Sequence, residues 1–486
     1  MIPPDTRRKS FELNLSNLLQ NKLFIVSLVI ILFLSCISTT AFALGNVPTF
    51  LDTTATDTSS TPMKGIWVAS VLNIDYPKTA TTNPDMLKAE AVKILDTAQA
   101  AGINAVFLQV RPTADAFYPS LYYPWSRYLT GTQGLAPQQE FDPLEFWVEQ
   151  AHHRGMELHA WLNPYRITRK TIDEPAHDFA SLAPSSPARL HPEWVVNHTD
   201  GNLYFDPGLP EVRQFLIDSS MELIENYAVD GIHFDDYFYP GKDFNDHSTF
   251  SQYGQGYLSI EDWRRENVNT LIRDLYRSIS NGPRPVRFGI SPFGIWANDN
   301  AHPMGSATRG NQTYYAHYAD PLAWIQEGTI DYIAPQIYWH IGFDIADYSI
   351  LLDWWHRATL NSSVDLYIGQ ATYRTLNTDP RSPWHGVSEI KRQLQLNDSY
   401  SGVKGSIFYN YSSLARSPEL QSLLRDHFKT TEDQIAPFIP SVTEVPVTRG
   451  ALSGRSIWQS VLSRSKDDYL WRILERNFPE EIKTLQ

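Results

Sequence analysis

Cysteine is nearly absent from this sequence of 486 residues. The single cysteine, Cys36, lies in the N-terminal segment, so no intramolecular disulfide bond can form. Cysteine-rich zinc and iron–sulfur sites are excluded for the same reason. The chain must therefore be stabilised by a hydrophobic core, and its chemistry must come from other side chains.

Basic residues are also in deficit. The chain has 40 Lys and Arg against 54 Asp and Glu, which gives a formal net charge of −14. Nucleic acids and anionic membranes are bound through positive protein surfaces, so neither is expected as a partner. Hydrophobic residues make up 42% of the chain and charged residues 19%, which suits a large core and excludes an intrinsically disordered chain.

Long hydrophobic runs are missing except near the N-terminus. Leu23–Leu34 is an apolar run of 12 residues that Ser27 interrupts, and it is too short to span a bilayer comfortably. Ala41-Phe42-Ala43 follows it, and four basic residues precede it: Arg7, Arg8, Lys9 and Lys22. This order is typical of a signal peptide that is cleaved after Ala43. Two alternatives stay open, a lipid anchor on Cys36 and an uncleaved membrane anchor.

The N-terminal segment predicts an exported protein whose membrane contact is limited to the signal peptide or a lipid on Cys36. Removal of residues 1–43 takes away four basic and two acidic residues and leaves a net charge of −16. Residues 44–62 are rich in Thr and Ser and lack periodicity, which is typical of a flexible tether. Residues 431–486 contain a Pro-containing linker and then apolar residues at helical spacing, which predicts a short helical C-terminal tail.

Residues 63–430 alternate short apolar runs with longer segments of helical periodicity. Near-continuous apolar runs indicate strands that are covered on both faces, as in a parallel sheet. Eight such runs favour an α/β fold, a (β/α)8 TIM barrel with long βα-loop insertions. A doubly wound open sheet is the alternative, and the absence of a GxGxxG turn after any strand weakens it. The predicted strands are Lys64–Val71, Asn104–Val110, Glu157–Leu162, Gly231–Asp235, Arg287–Ser291, Asp331–Ile337, Asp365–Gly369 and Gly402–Tyr409.

Amides, aromatic rings and carboxylates collect where these strands end. Active sites of such barrels form at the C-terminal ends of the strands. Hydrogen-bonding groups beside flat aromatic faces suit a pyranose ring, so the following residues are predicted to bind a sugar. They are Gln109, Arg111, Trp161, Asn163, Tyr165, His233, Tyr237, Ser291, Trp296, Gln336, Tyr338, Trp339 and Gln370 at strand ends, and Asn267 on the helix after the fourth strand.

The fourth predicted strand ends in a pair of carboxylates, Asp235 and Asp236. Alternation places His233, Asp235 and Tyr237 on one face of the strand, and Asp236 begins the loop. Two neighbouring carboxylates suppress each other's ionisation, so one of them can stay protonated near neutral pH. Glycosidases need this division between a proton donor and an anionic partner. The alternative is structural, with one Asp capping the loop and the other paired with an Arg.

The order of sequence blocks resembles that of the bacterial glycosyl-hydrolase-like family 10. The resemblance covers about residues 63–430. It implies a TIM barrel, export to the periplasm or cell envelope with an outer-membrane lipoprotein as one form, and hydrolysis of peptidoglycan glycan strands. The blocks are KGIWVAS, GINAVFLQVRP, RGMELHAWLNPYR, FDPGLPEVR, VDGIHFDDYFYP, DWRRENV, GISPFGIW, DYIAPQIYW and LYIGQA.

The Asp pair predicts a mechanism without a metal or other cofactor. We expect Asp236 to act as general acid and base while Asp235 polarises the acetamido group of the substrate. The alternative is exchanged roles, with Asp235 as a direct nucleophile. Two other functions stay open. One is a non-catalytic barrel that binds cell-wall glycan. The other is a metal-dependent deacetylase or amidase that would use His159 and His233 together with the Asp pair. The oligomeric state has no signature in the sequence.

Overall fold

A closed barrel of eight parallel strands forms the centre of the computed structural model, which describes residues 61–170 and 179–434. Each strand pairs with its neighbours in chain order, and the last closes on the first. The predicted (β/α)8 barrel is therefore confirmed, and each predicted run overlaps one strand. The strands are β1 Met63–Val68, β2 Ala105–Arg111, β3 Glu157–Leu162, β4 Gly231–Phe234, β5 Arg287–Ile290, β6 Tyr332–Ile333, β7 Asp365–Gln370 and β8 Val403–Phe408.

Helices follow the strands and begin at clear sequence signals. Pro84 and Pro143 stand at the first turn of their helices, directly after Asn83 and Asp142, whose side chains accept backbone N–H groups of that turn. The main helices are Pro84–Ala100, Pro143–His152, Pro210–Asn226, His247–Tyr253, Ile260–Ser280, Pro321–Glu327, Tyr348–Thr359, Ser388–Asp398, Tyr411–Arg416 and Pro418–Gln434. None of the helices in the described ranges is long and apolar enough to cross a membrane.

Large rings fill the inside of the barrel. They include Trp67, Phe107, Trp161 and Tyr332, while a second and larger apolar cluster lies between the strands and the helices. A glycine on a neighbouring strand makes room for one of these rings. A Cβ atom at Gly289 would lie 2.1 Å from the ring of Tyr332. Large aromatic residues on some strands and glycine on a neighbouring strand therefore fill the inside of the barrel with packed side chains.

Two local features differ from the predicted strands. The strand that was predicted over Asp331–Ile337 is reduced to Tyr332–Ile333, because Pro335 has no N–H group to donate to a neighbouring strand. The β3–β4 connection contains an antiparallel hairpin of Val195–Asn197 with Leu203–Phe205, which the sequence did not predict. Both hairpin strands have only three residues, too few for an alternating pattern to be recognised.

Several predictions fall on residues outside the described ranges. The signal peptide of residues 1–43, nearly all of the tether of residues 44–62 and the tail beyond residue 434 stay predictions. The helix Pro418–Gln434 runs across the boundary that was predicted at residue 430.

Candidate active site

A cavity of about 340 Å³ opens at the C-terminal ends of the strands. A larger groove of about 670 Å³ lies beside the helices Pro84–Ala100 and Tyr411–Arg416, but it does not contain the Asp pair. The smaller cavity is the candidate site because two buried carboxylates line it. Its lining residues are Trp67, Val71, Leu72, Ile74, Gln109, Trp161, Arg166, Arg169, Asp235, Asp236, Tyr237, Ser291, Phe293, Gln336, Tyr338 and Tyr409.

Three N–H donors fix Asp235 just after β4. Asn163 Nδ2 donates to Oδ2 over 2.5 Å, and Trp161 Nε1 donates to the same oxygen over 3.1 Å. The backbone N–H of Tyr237 donates to Oδ1 over 3.2 Å. Hydrogen bonds to a carboxylate favour its charged form, so these donors stabilise Asp235 as the anion of the pair.

Gln109 on β2 sets the orientation of Asn163. Its Oε1 accepts the backbone N–H groups of Ser70 over 3.0 Å and Val71 over 2.9 Å, so its Nε2 must point the other way. That Nε2 donates to Asn163 Oδ1 over 2.7 Å, which leaves the amide nitrogen of Asn163 to face Asp235. A chain of hydrogen bonds therefore runs from the backbone after β1 to the carboxylate after β4.

Asp236 lies in a different electrostatic setting from its neighbour. Burial and, to a lesser extent, the charge of Asp235 together raise its pKa to about 8. Gln336 and Arg166 act in the opposite direction and lower this pKa. Burial also raises the pKa of Asp235, against the lowering effects of Arg166 and of the three donors. Because those donors act on Asp235, the proton that the pair keeps at neutral pH lies on Asp236. The arrangement supplies one proton donor and one anion.

Arg166 holds the rim of the cavity on the β3 side. Its Nε donates to the carbonyl oxygen of Pro112 over 3.0 Å, and its guanidinium lies 4.9 Å from the ring centroid of Tyr237. The side chain is 4% exposed and lowers the pKa of both aspartates. Arg166 thus offsets part of the cost of burying the anion.

His233 belongs to the floor beneath the cavity. The indole N–H of Trp67 can only donate, and it points at His233 Nε2 over 3.2 Å, so Nε2 is an acceptor and the proton lies on Nδ1. Ser291 Oγ is 3.0 Å from the same Nε2, and Nδ1 is 3.1 Å from the hydroxyl of Tyr332. Burial holds the pKa of His233 well below its usual range, so the ring is a neutral structural link.

Hydrogen bonds continue from His233 through Tyr332 along the inside of the barrel. The hydroxyl of Tyr332 is 3.0 Å from His159 Nδ1, and His159 Nε2 is 3.0 Å from Glu157 Oε2. With His233 donating from Nδ1, Tyr332 donates to His159 and His159 donates to Glu157. With these donor directions, both ring nitrogens of His233 and both of His159 have hydrogen-bond partners.

The structure brings eight of the sequence-predicted site residues to the cavity wall and places two beside them. Asn163 contacts Asp235, and His233 lies beneath the floor. The eight lining residues are Gln109, Trp161, Asp235, Asp236, Tyr237, Ser291, Gln336 and Tyr338. The strand-end rule predicted this group, because the residues that end the strands of such a barrel meet at its C-terminal mouth.

Six other predicted residues do not line the cavity. Arg111 donates to Ser219 Oγ on the helix Pro210–Asn226, because the β2–β3 register shifts between Gln109 and Arg111. The remaining five are packed elsewhere. The Trp296 indole donates to Asp320, and the Asn267 amide donates to the hydroxyl of Tyr239. The Gln370 amide donates to Gln393, which in turn donates to the carbonyl oxygen of Trp339. The Tyr165 ring is buried.

Sequence reasoning missed part of the wall. Trp67 lies within β1 rather than after it, so the strand-end rule did not select it. Arg166 does follow the third predicted strand and was selected by that rule, although it was not among the residues predicted to bind the sugar. Tyr409 directly follows β8, and the strand-end rule could have identified it. Val71, Leu72, Ile74, Arg169 and Phe293 come from loops whose course has no periodic signal.

Metal-ligating side chains are scattered through residues 61–170 and 179–434. No three His, Cys, Asp or Glu side chains in these ranges lie close enough together to hold a metal ion. His159 and His233 each contact Tyr332 instead.

Comparison with known proteins gives consistent matches. Residues 62–384 match the family described as glycosyl hydrolase-like 10. Glycosyl hydrolase YngK of Bacillus subtilis (strain 168) is 46% identical over 368 residues, which covers 74% of this chain and 70% of that protein. Glycosyl hydrolase DigH of Escherichia coli (strain K12) is 38% identical over 386 residues, which covers 76% of this chain and 87% of that protein. The solved glycoside hydrolase domain of PgaB from Bordetella bronchiseptica is 12% identical, with a TM-score of 0.45 over 75% of this chain and 98% of that domain.

Proposed function

The chain belongs to the glycosyl hydrolase-like 10 family, and from that premise we propose that it hydrolyses glycosidic bonds in a polymer of N-acetylated sugars, the glycan strands of peptidoglycan. The observation that carries this proposal is the buried Asp pair at the mouth of the barrel. Asp235 is held as an anion by three donors, and Asp236, with its pKa near 8, keeps a proton at neutral pH.

The proposed reaction uses the acetamido group of the substrate as nucleophile. Its carbonyl oxygen attacks the anomeric carbon and forms a cyclic intermediate, while the bond from that carbon to the leaving oxygen breaks. Asp236 gives its proton to the leaving oxygen. Asp235 accepts a hydrogen bond from the acetamido N–H and stabilises the positive charge that develops there.

Water completes the proposed cycle. Asp236, now a carboxylate, removes a proton from a water molecule as that water attacks the anomeric carbon. The bond to the acetamido oxygen breaks, the acetamido group is restored, and Asp236 again carries a proton. The fixed position of Asp235 favours this mechanism, because a carboxylate with three donors is a poorer nucleophile than a free one.

Product analysis separates this proposal from the alternative functions. Purified glycan strands of defined length are incubated with the protein in water enriched in ¹⁸O, and the products are analysed by mass spectrometry. The proposal predicts shorter strands with one ¹⁸O at each new reducing end and intact acetyl groups. Loss of acetyl or peptide mass without shortening would favour a deacetylase or amidase, and unchanged strands that stay bound would favour a glycan-binding protein.

We also propose that the protein acts in the cell envelope. The support is the basic segment, apolar run and Ala-x-Ala sequence within residues 1–43. Mass analysis of the mature protein distinguishes the two forms of export. A chain that begins at Leu44 indicates a released protein, and a diacylated chain that begins at Cys36 indicates a lipoprotein. A mature chain that keeps residues 1–35 would contradict both forms.

A further inference from the structure

An exposed tyrosine lies next to the candidate active site without lining it. Tyr373 follows β7 and is 39% exposed. Its ring centroid is 6.1 Å from that of Tyr338 and 6.0 Å from that of Tyr409, and both of these rings line the cavity. The interplanar angles are 78° and 86°, so neither neighbour is stacked on Tyr373.

Backbone and side-chain contacts hold Tyr373 in place. Its N–H donates to the carbonyl oxygen of Tyr409 over 3.1 Å. The Arg374 guanidinium lies 5.6 Å from the ring of Tyr373 and 5.4 Å from the ring of Trp384, which is 5% exposed. Tyrosine has two side-chain torsions, so a ring that is already positioned loses little entropy when a ligand covers it.

The size of the cavity requires a polymer to leave it. A volume of about 340 Å³ is near the lower end of the roughly 300–1,000 Å³ found for ligand pockets. A glycan strand that enters the cavity must therefore continue across the neighbouring surface. On the β7–β8 side, Tyr373 is an exposed ring directly beside the cavity-lining rings of Tyr338 and Tyr409. The apolar C–H face of a pyranose ring fits a flat aromatic ring, and this contact needs no charged partner.

We propose that Tyr373 is the stacking platform of a further sugar subsite outside the catalytic cavity, so that the protein binds its glycan over several residues. This inference rests on the proposed function for the identity of its ligand. Binding energy gained away from the reacting bond can be used in the transition state, so strands that reach Tyr373 are cleaved faster than strands that do not.

The Tyr373→Ala variant gives the first test. On the longest fraction of purified peptidoglycan glycan strands we expect kcat/KM to fall about tenfold, since loss of one aromatic contact removes roughly one logarithmic unit of transition-state binding. On the shortest fraction that the protein cleaves, kcat/KM should be unchanged. A loss that is equal for all lengths, or no loss at any length, would overturn the subsite.

Two control variants separate stacking from structural damage. Tyr373→Phe keeps the ring and should keep the dependence on strand length. Tyr257→Ala removes another tyrosine that is 39% exposed, on the loop before the helix Ile260–Ser280 and away from the cavity lining. It should leave both length classes unaffected. Circular dichroism and thermal unfolding verify that each variant is folded.

A binding measurement keeps the test independent of cleavage. In the Asp236→Asn background, retention of the long strands should fall about tenfold when Tyr373→Ala is added. If the wild-type protein cleaves nothing but this loss of retention is seen, the hydrolase proposal fails and the subsite stands. If retention is the same with and without Tyr373→Ala, the subsite is wrong, whatever the catalytic result.

Discussion

At the scale of single residues, two neighbouring aspartates differ because their partners differ. Asp235 receives three hydrogen bonds, whereas burial and the neighbouring charge raise the pKa of Asp236 to about 8. The sequence predicted that the pair would divide the roles, because adjacent carboxylates at a strand end repel each other. It favoured Asp236 as the proton donor but left the exchanged assignment open, since the outcome depends on Asn163 and Trp161 from another strand.

Asn163 gives a residue-scale prediction about pH. Asn163→Ala removes the 2.5 Å donor from Asp235, which destabilises the anion and raises the pKa of Asp235. The acid limb of the kcat/KM profile should therefore move to higher pH, and turnover should fall by about tenfold or more, as for loss of a hydrogen bond to a charged group.

A second buried amide serves as the control for that profile. Gln370→Ala truncates a side chain at the end of β7 that contacts Gln393 and does not line the cavity. It should lower the melting temperature without moving the acid limb. If both variants shift the limb equally, or if Asn163→Ala shifts it to lower pH, the proposed role of Asn163 is wrong.

At the scale of elements, the eight strands were predictable because a strand that is buried on both faces has a nearly continuous run of apolar residues. The connections were less predictable, since they follow turn geometry and contacts with distant loops. Arg111 illustrates the limit. Simple alternation aligns it with Gln109, but the register shift between them turns its side chain to Ser219 on a helix.

Gly289 of β5 gives an element-scale prediction. In Gly289→Ala the new methyl group would lie 2.1 Å from the Tyr332 ring, inside a packed barrel. We expect the variant to lose about 1–3 kcal/mol of unfolding free energy, as for other overpacked cores. Denaturant unfolding measures this loss.

The control is Gly241→Ala, whose methyl group would meet the side-chain oxygen of Asp243 at 2.9 Å. That flexible side chain can move away, so equal stability losses in both variants would contradict the packing account.

At the scale of the whole molecule, the buried Asp236 of the candidate active site destabilises the fold as pH rises. Asp236 has a pKa of about 8 in the fold against an ordinary value of 3.8. The folded state keeps a proton that the unfolded chain releases, so the contribution of Asp236 to stability is greatest below about pH 4 and is lost progressively up to about pH 8. Asp236→Asn removes this dependence, and its melting temperature should exceed that of the wild type by roughly 2 °C or more at pH 8.

Thermal unfolding at two pH values tests this trade between stability and function. The advantage of Asp236→Asn should shrink at pH 4, where both states of the wild type carry the proton. Asp353→Asn exchanges a carboxylate that is 45% exposed and should leave the melting temperature nearly unchanged at both pH values. A variant of Asp236 that is less stable than the wild type at pH 8 would contradict the assigned protonation state.

Turnover of the Asp236→Asn variant on purified glycan strands tests the central claim most directly. The account predicts a folded protein that releases new reducing ends at least about 10²-fold more slowly than the wild type, because positioned acid–base catalysis is lost. Asp353→Asn should keep the wild-type rate. Release of reducing ends at the wild-type rate by Asp236→Asn would contradict the account.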